Sequence, residues 1–205
     1  EGPLTEGAAG GWVLSGTTGA ATITQPNVRS GAIVLTADGT GSCNPTLALG
    51  GASAPANFIY SVGKRLWCFA RLKLVTVATT ELFFGLGTPD TSPCVTGTFP
   101  SDGIFFDKAS TATKADFHAR KDGTSTEKLL VTGTLVDDTY TTLGFLVDVN
   151  GHIIPYQDGA AIAAGAIVAG TANIPAVGDP MQFILGILGA SMTCTVDWIM
   201  LGQEI

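Results

Sequence analysis

Apolar and polar residues alternate with a period of two along most of this chain, and the runs end at dipeptides that turn the backbone. In an extended strand successive side chains point to opposite faces, so a chain patterned this way buries its apolar residues by forming sheets. Helical 3.6-residue periodicity is nearly absent. Residues 66–74 place Leu66, Cys68, Ala70, Leu72 and Leu74 on one face and Trp67, Phe69, Arg71 and Lys73 on the other, a strand covered on both faces at its start and half-exposed later. Residues 114–120 direct Ala115, Phe117 and Ala119 inward, and residues 141–149 do the same with Leu143, Phe145, Val147 and Val149. The last run, 193–201, sets Cys194, Val196, Trp198 and Met200 on one side. Between the runs lie Asp38-Gly39, Asp102-Gly103, Asp122-Gly123, Asn150-Gly151 and Asp158-Gly159, which tolerate positive φ at both centres of a type I′ hairpin turn. Consecutive strands therefore pair antiparallel. Many strands with short turns and no intervening helices predict an all-β fold, an antiparallel two-sheet β-sandwich.

A chain of 205 residues suits one domain around one core. Residues 1–11 lack core-forming content and read as an N-terminal arm or disordered lead, which leaves 12–205 as a single sandwich. Charged residues make up 13% and hydrophobic ones 45%, a balance that excludes intrinsic disorder. Ten Lys+Arg against seventeen Asp+Glu give a net charge of −7 with no basic run, so neither nucleic acid nor an acidic membrane surface is an expected partner. The most apolar stretches, 160–170 and 183–192, are too short for the roughly 20 residues of a membrane span. No basic segment followed by an apolar run opens the chain, so no signal peptide is expected in it. A surface so poor in charge suits a protein whose faces are covered by other molecules in use.

Cys43, Cys68, Cys94 and Cys194 have no C-x-x-C spacing and only His118 and His152 to join them, which disfavours zinc. Cys68 and Cys194 sit in apolar alternation as small core residues, and no disulfide is expected. A glycosidase needs two opposed carboxylates, often on alternate residues of one strand, and no E-x-D-x-E occurs. Asp137-Asp138 reads as a solvated turn. Asp148, Asn150 and His152 have the donor types of a cation site, but Asn150-Gly151 is a hairpin signal and Asp148 can cap its amides. His118, between Asp116 and Arg120, reads as an exposed cross-strand partner with no nucleophile beside it. Gly85-Leu86-Gly87 and the Gly186/Gly189 pair lack the Lys-Ser/Thr of a phosphate loop and read as close sheet packing. Trp12, Trp67 and Trp198 could stack on sugar, yet core packing is the favoured reading for Trp67 and Trp198. No residue is assigned a catalytic, cofactor-binding or metal-binding role, and no cofactor is expected.

Four strings, taken in order, go further: Gly63-Lys64-Arg65-Leu66-Trp67-Cys68-Phe69-Ala70-Arg71, Glu81-Leu82-Phe83-Phe84-Gly85-Leu86-Gly87, Asp102-Gly103-Ile104-Phe105-Phe106 and Val196-Asp197-Trp198-Ile199. Over residues 58–203 the chain resembles tailed-bacteriophage head-decoration (cement) proteins, virion structural proteins built on the concanavalin A-like lectin/glucanase jelly roll. That resemblance implies a non-enzymatic bacteriophage protein on the outer surface of the head, assembled in the host cytoplasm, binding the major capsid protein and stabilising the capsid. It also implies a dimer or trimer seated on local symmetry axes. The alternative is a carbohydrate-binding, lectin-like module.

Overall fold

The computed structural model describes residues 12–15, 21–25, 31–39, 45–49, 58–90, 93–94, 99–128 and 132–205, and the expected arm at 1–11 lies outside them. The alternating runs are strands: β1 (Trp12–Ser15), β2 (Thr22–Thr24), β3 (Ile33–Asp38), β4 (Thr46–Leu49), β5 (Phe58–Ile59), β6 (Leu66–Leu74), β7 (Glu81–Gly87) and β8 (Gly103–Lys108). There follow β9 (Asp116–Lys121), β10 (Thr124–Lys128), β11 (Thr141–Val147), β12 (Ile153–Gln157), β13 (Ala160–Ala161), β14 (Pro180–Leu188) and β15 (Ala190–Gln203). Among the described residues the only helical turns are short 3-10 pieces at Val77–Thr79 and Ala163–Gly165, and no helix is long and apolar enough to cross a membrane.

The first sheet runs β1-β4-β14-β7-β8-β9-β10, with β5 also on β14, and the second runs β13-β12-β11-β6-β15-β3-β2. Neighbours pair antiparallel throughout, so the fold is the expected two-sheet sandwich. Alternation decides which side chains fill the space between the sheets. Phe84, Phe106, Phe117, Phe145 and Phe183 are fully buried there, each worth roughly 1.5–3 kcal/mol of apolar burial. Their rings touch in series: Phe183 to Phe84 at 5.9 Å, Phe84 to Phe106 at 6.1 Å, Phe106 to Phe117 at 4.8 Å and Phe117 to Phe145 at 5.8 Å. The aromatic chain thus crosses the first sheet and ends on the second. Ala115, Phe117, Ala119, Leu143, Phe145 and Val147 face inward as predicted, whereas Val149 lies past the end of β11 and is exposed.

The turn dipeptides divide by loop length. Asp122-Gly123 and Asp158-Gly159 have positive φ at both residues and close two-residue hairpins, as their chemistry favours. At Asn150-Gly151 only Gly151 is positive (φ 80°), because five residues separate the last pair Val147–Ile153 and a longer loop needs one left-handed residue. Asp102-Gly103 is no turn at all; Gly103 opens β8.

The last strand departs from the expected alternation. Opposite β6, Val196 faces Leu72 and Trp198 faces Arg71, so Asp197 is one residue too many. This β-bulge reverses the faces beyond it. Cys194 and Val196 are buried, Ile199 and Leu201 pack against the core in their turn, and Trp198 and Met200 point outward at 40% and 49% exposure. Trp67, an outward residue of β6, is likewise half-buried, so the core reading fails for both tryptophans.

Cys68 and Cys194 are free and buried, as expected, and burial pushes their thiols up, that of Cys194 to about 12. The expectation of no disulfide is wrong for Cys94, which is disulfide-bonded. Unlike the other two it lies outside any strand, where no ladder holds the chain, and its partner falls outside the described residues.

Candidate functional site

Each sheet has an outer face. On the first sheet, the outward residues Phe83, Phe105 and Ile184 form a second apolar cluster with Cys94, and Phe99 packs on it. Phe99 lies 5.3 Å from Phe105 and 5.4 Å from His118, with the Arg120 guanidinium 5.6 Å from its ring centre. His118 stacks on Phe105 at 4.9 Å and 17°. This corrects the expectation that His118 is exposed: it is 2% exposed, because Phe99 from the preceding loop roofs it. Burial, with the Arg120 charge beside it, lowers its pKa to about 4, so its imidazole is neutral at pH 7.

Next to His118 the hairpin of β8 and β9 pairs Asp107 with Asp116. Ligand atoms of Asp107, Asp116 and His118 all lie within 4.8 Å of one another. Such a trio can coordinate a cation or exchange protons. A one-strand motif search passes over it, since the outward positions of β8 are Gly103, Phe105 and Asp107 and the second carboxylate comes from the neighbouring strand. No local signal gives this alignment, since the Asp122-Gly123 hairpin fixes the register of β9 on β10 and not that of β9 on β8.

The outer face of the second sheet is open and aromatic. Registration across β15, β6, β11 and β12 sets out three rows: Trp198, Arg71 and Thr142; then Met200, Phe69, Gly144 and Tyr156; then Gly202, Trp67, Leu146 and Ile154. The two glycines shape it. A Cβ at Gly144 would overlap the Phe69 ring, and one at Gly202 the Trp67 ring, so both rings lie down over backbone of the neighbouring strand. The Tyr156 ring adjoins Phe69 at 5.7 Å. At one end Arg71 pairs with Asp197 at 2.5 Å and Lys73 with Asp138 at 2.6 Å, and Arg71 stands 4.4 Å over the Tyr140 ring. Beside Trp198, at the sandwich edge, Trp12, Ile33 and Asp197 help to line a cleft of about 250 Å³. Trp12 also meets Phe183 edge-on at 5.6 Å, which ties it to the core.

The other sequence candidates are structural. Asp148 Oδ1 accepts hydrogen bonds from the Asn150 and His152 amides at 2.8 and 2.9 Å. Burial works against the charge, but those amides prevail and hold the carboxyl below its ordinary range. Asp137 accepts from the Val77 amide at 2.6 Å, and Asp138 has φ 51° in the turn. Gly85 lies against β8, where a Cβ would strike Phe105, as close packing requires.

No protein family's sequence profile matches this chain, and no curated relative matches it. Solved structures do. The Emp47p carbohydrate recognition domain is similar at TM-score 0.60 and 12% identity over 98% of this chain and 92% of that one. Alginate lyase AlgAT5, of Polysaccharide Lyase family 7, is similar at 0.58 and 14% over 96% and 95%. A carbohydrate esterase of the Shiga toxin-encoding bacteriophage phi24B is similar at 0.53 and 17% over 94% and 89%. The fold is a concanavalin A-like jelly roll. At these identities the likeness reaches no further than the fold.

It nonetheless corrects one expectation. The chain was expected not to be an enzyme, but the structures sharing its sandwich include the alginate lyases AlgAT5 and AlyC3 and a glycoside hydrolase family protein from Mycobacterium thermorestibile. A chain of this architecture is compatible with catalysis, and lacking E-x-D-x-E on one strand does not remove it.

Proposed function

We propose that this chain is a carbohydrate-binding, lectin-like sandwich whose ligand lies on the outer face of the second sheet. The observation that carries the reading is the outward array of Trp67, Phe69, Tyr156 and Trp198 on one face. Pyranose rings present C–H faces that stack on aromatic rings while their hydroxyls keep water or edge polar groups. Solved neighbours named for carbohydrate recognition or carbohydrate chemistry support it. The test is a glycan panel with the full chain and Trp198→Ala: binding that drops at least tenfold in the variant, with thermal stability unchanged, is expected. Silence across the panel would overturn it.

A second reading keeps the same face and changes the partner. Exposed Trp198 and Met200 also suit a protein contact, and the strand strings resemble those of phage decoration proteins, for which the partner is the major capsid protein on the outer head surface. Hundreds of copies on purified heads would favour this reading; their absence there would remove it.

A further inference from the structure

The aromatic face has a shape and a charge state that narrow its ligand, given the carbohydrate reading on which this step rests. Phe69 and Trp67 lie down over Gly144 and Gly202, so they offer ring faces rather than edges. The positions between them are Met200, Leu146 and Ile154, which donate and accept nothing strong. Among the described residues no wall rises at the sides: on β13 Ala160 and Ala161 are small and exposed, and across the sheet β2 ends the face with exposed Thr22 and Thr24. From the Trp198 row to the Trp67 row is four residues, about 13 Å at the rise of a strand.

Among the described residues, the outward cations of β6 are closed on carboxylates. Each basic residue that β6 and its lead-in direct to this side is paired with a carboxylate, Arg65 with Glu204, Arg71 with Asp197 and Lys73 with Asp138. An anionic polymer would have to displace those partners. A neutral one displaces only water from apolar surface, which is favourable without any charge exchange.

We infer that the ligand is the flat face of a neutral, extended polysaccharide, an ordered array of β-1,4-linked pyranose chains such as cellulose or chitin. All-equatorial linkage and substituents leave axial C–H groups on both faces of each ring, so packed chains present a level apolar surface that matches a level aromatic one. A single soluble chain instead gains from a groove that surrounds it.

The experiment is depletion of the full chain from solution by microcrystalline cellulose and by chitin, beside calorimetry with cellohexaose, chitohexaose and alginate. Two variants accompany it: Trp198→Ala, and Met200→Lys, which sets a charge in the middle of the face without touching the core; thermal melts confirm that both fold. Expected are retention on at least one solid, a tenfold or greater loss in each variant, and hexasaccharide binding at least tenfold weaker than the solid. Equal or tighter binding of a hexasaccharide would place the ligand in a single-chain site such as the cleft beside Trp198 and overturn this inference while leaving glycan binding intact. Trp198-dependent binding of alginate would do the same for neutrality. No binding to any glycan, or a Trp198-dependent dimer seen by light scattering, would overturn both.

Discussion

His118 shows what one covering residue does to a titratable group. Its strand and its outward direction are legible in the alternation of residues 114–120, but its burial comes from Phe99, nineteen positions earlier in a loop that no periodicity describes. Its folded pKa of about 4 lies below the ordinary 6.5, so the unfolded chain takes up the proton first as pH falls. The stability tied to neutral His118 is complete above pH 6.5 and is lost as pH drops toward 4, by up to about 3 kcal/mol. Urea midpoints at pH 7 and pH 4.5 should therefore differ more for the native chain than for His118→Phe, which keeps the stack on Phe105 and removes the titration. Equal differences would mean that His118 is not buried as described. The Asp107–Asp116 pairing was unread for a related reason: a contact across a ladder depends on register, and the seven-residue gap between β8 and β9 does not announce one. Gly144 is a third case. Valine there must lift the Phe69 ring, and we expect a loss of about 1–3 kcal/mol by chemical denaturation together with weaker glycan retention.

At the scale of an element, β15 carries the main departure from what the alternation implies. Its first half is read correctly because Cys194 and Val196 are flanked by polar threonines, which leaves one choice of inward face. Its second half is apolar at every position from Trp198 to Leu201, so the pattern is silent about which set goes in, and the bulge at Asp197 decides it. Two changes at this position separate the roles of its side chain and its backbone. Asp197→Ala removes an ion pair with Arg71 whose partners are 20% and 43% exposed, and should cost under about 1 kcal/mol. Deleting Asp197 takes the unpaired residue out of the ladder, so plain alternation from Val196 still sets Trp198 and Met200 outward and Ile199 and Leu201 inward, and the loss should stay within the roughly 0.5–3 kcal/mol of an ordinary substitution. A deletion variant that fails to fold would show that Val196 and Trp198 do not occupy consecutive positions of the ladder as described. Counting this one unpaired residue into the alternation turns Trp198 and Met200 inward on paper, which is why the candidate site was less legible than the fold.

Across the whole molecule, two kinds of packing coexist, and the cysteines mark them. Cys68 and Cys194 lie between the sheets, where ladders on both sides hold the chain, while Cys94 belongs to the smaller cluster outside the first sheet, with Phe99 beside it. The sandwich as a whole was readable because each strand needs only the correct inward face, a local property; the strap over the first sheet was not, because a disulfide between distant segments leaves no local trace. A segment outside the ladders opens more readily than a strand, and a disulfide opposes that by restricting the unfolded chain, typically by about 2–4 kcal/mol. Thiol titration separates the two populations. With no reductant the folded protein should react with Ellman's reagent negligibly, since both free thiols are buried and their pKa values raised, and the same protein in guanidinium chloride should titrate the two free thiols alone. Four thiols under those conditions would show that Cys94 is not bonded. Mild reductant should then expose the Cys94 thiol before the interior pair, lower the urea midpoint in line with that range, and raise the pKa of His118 from about 4 toward 6.5 as Phe99 loosens. The last shift ties the strap to the group that it shields: if His118 still titrates near 4 after reduction, its cover is held by the apolar cluster rather than by the disulfide.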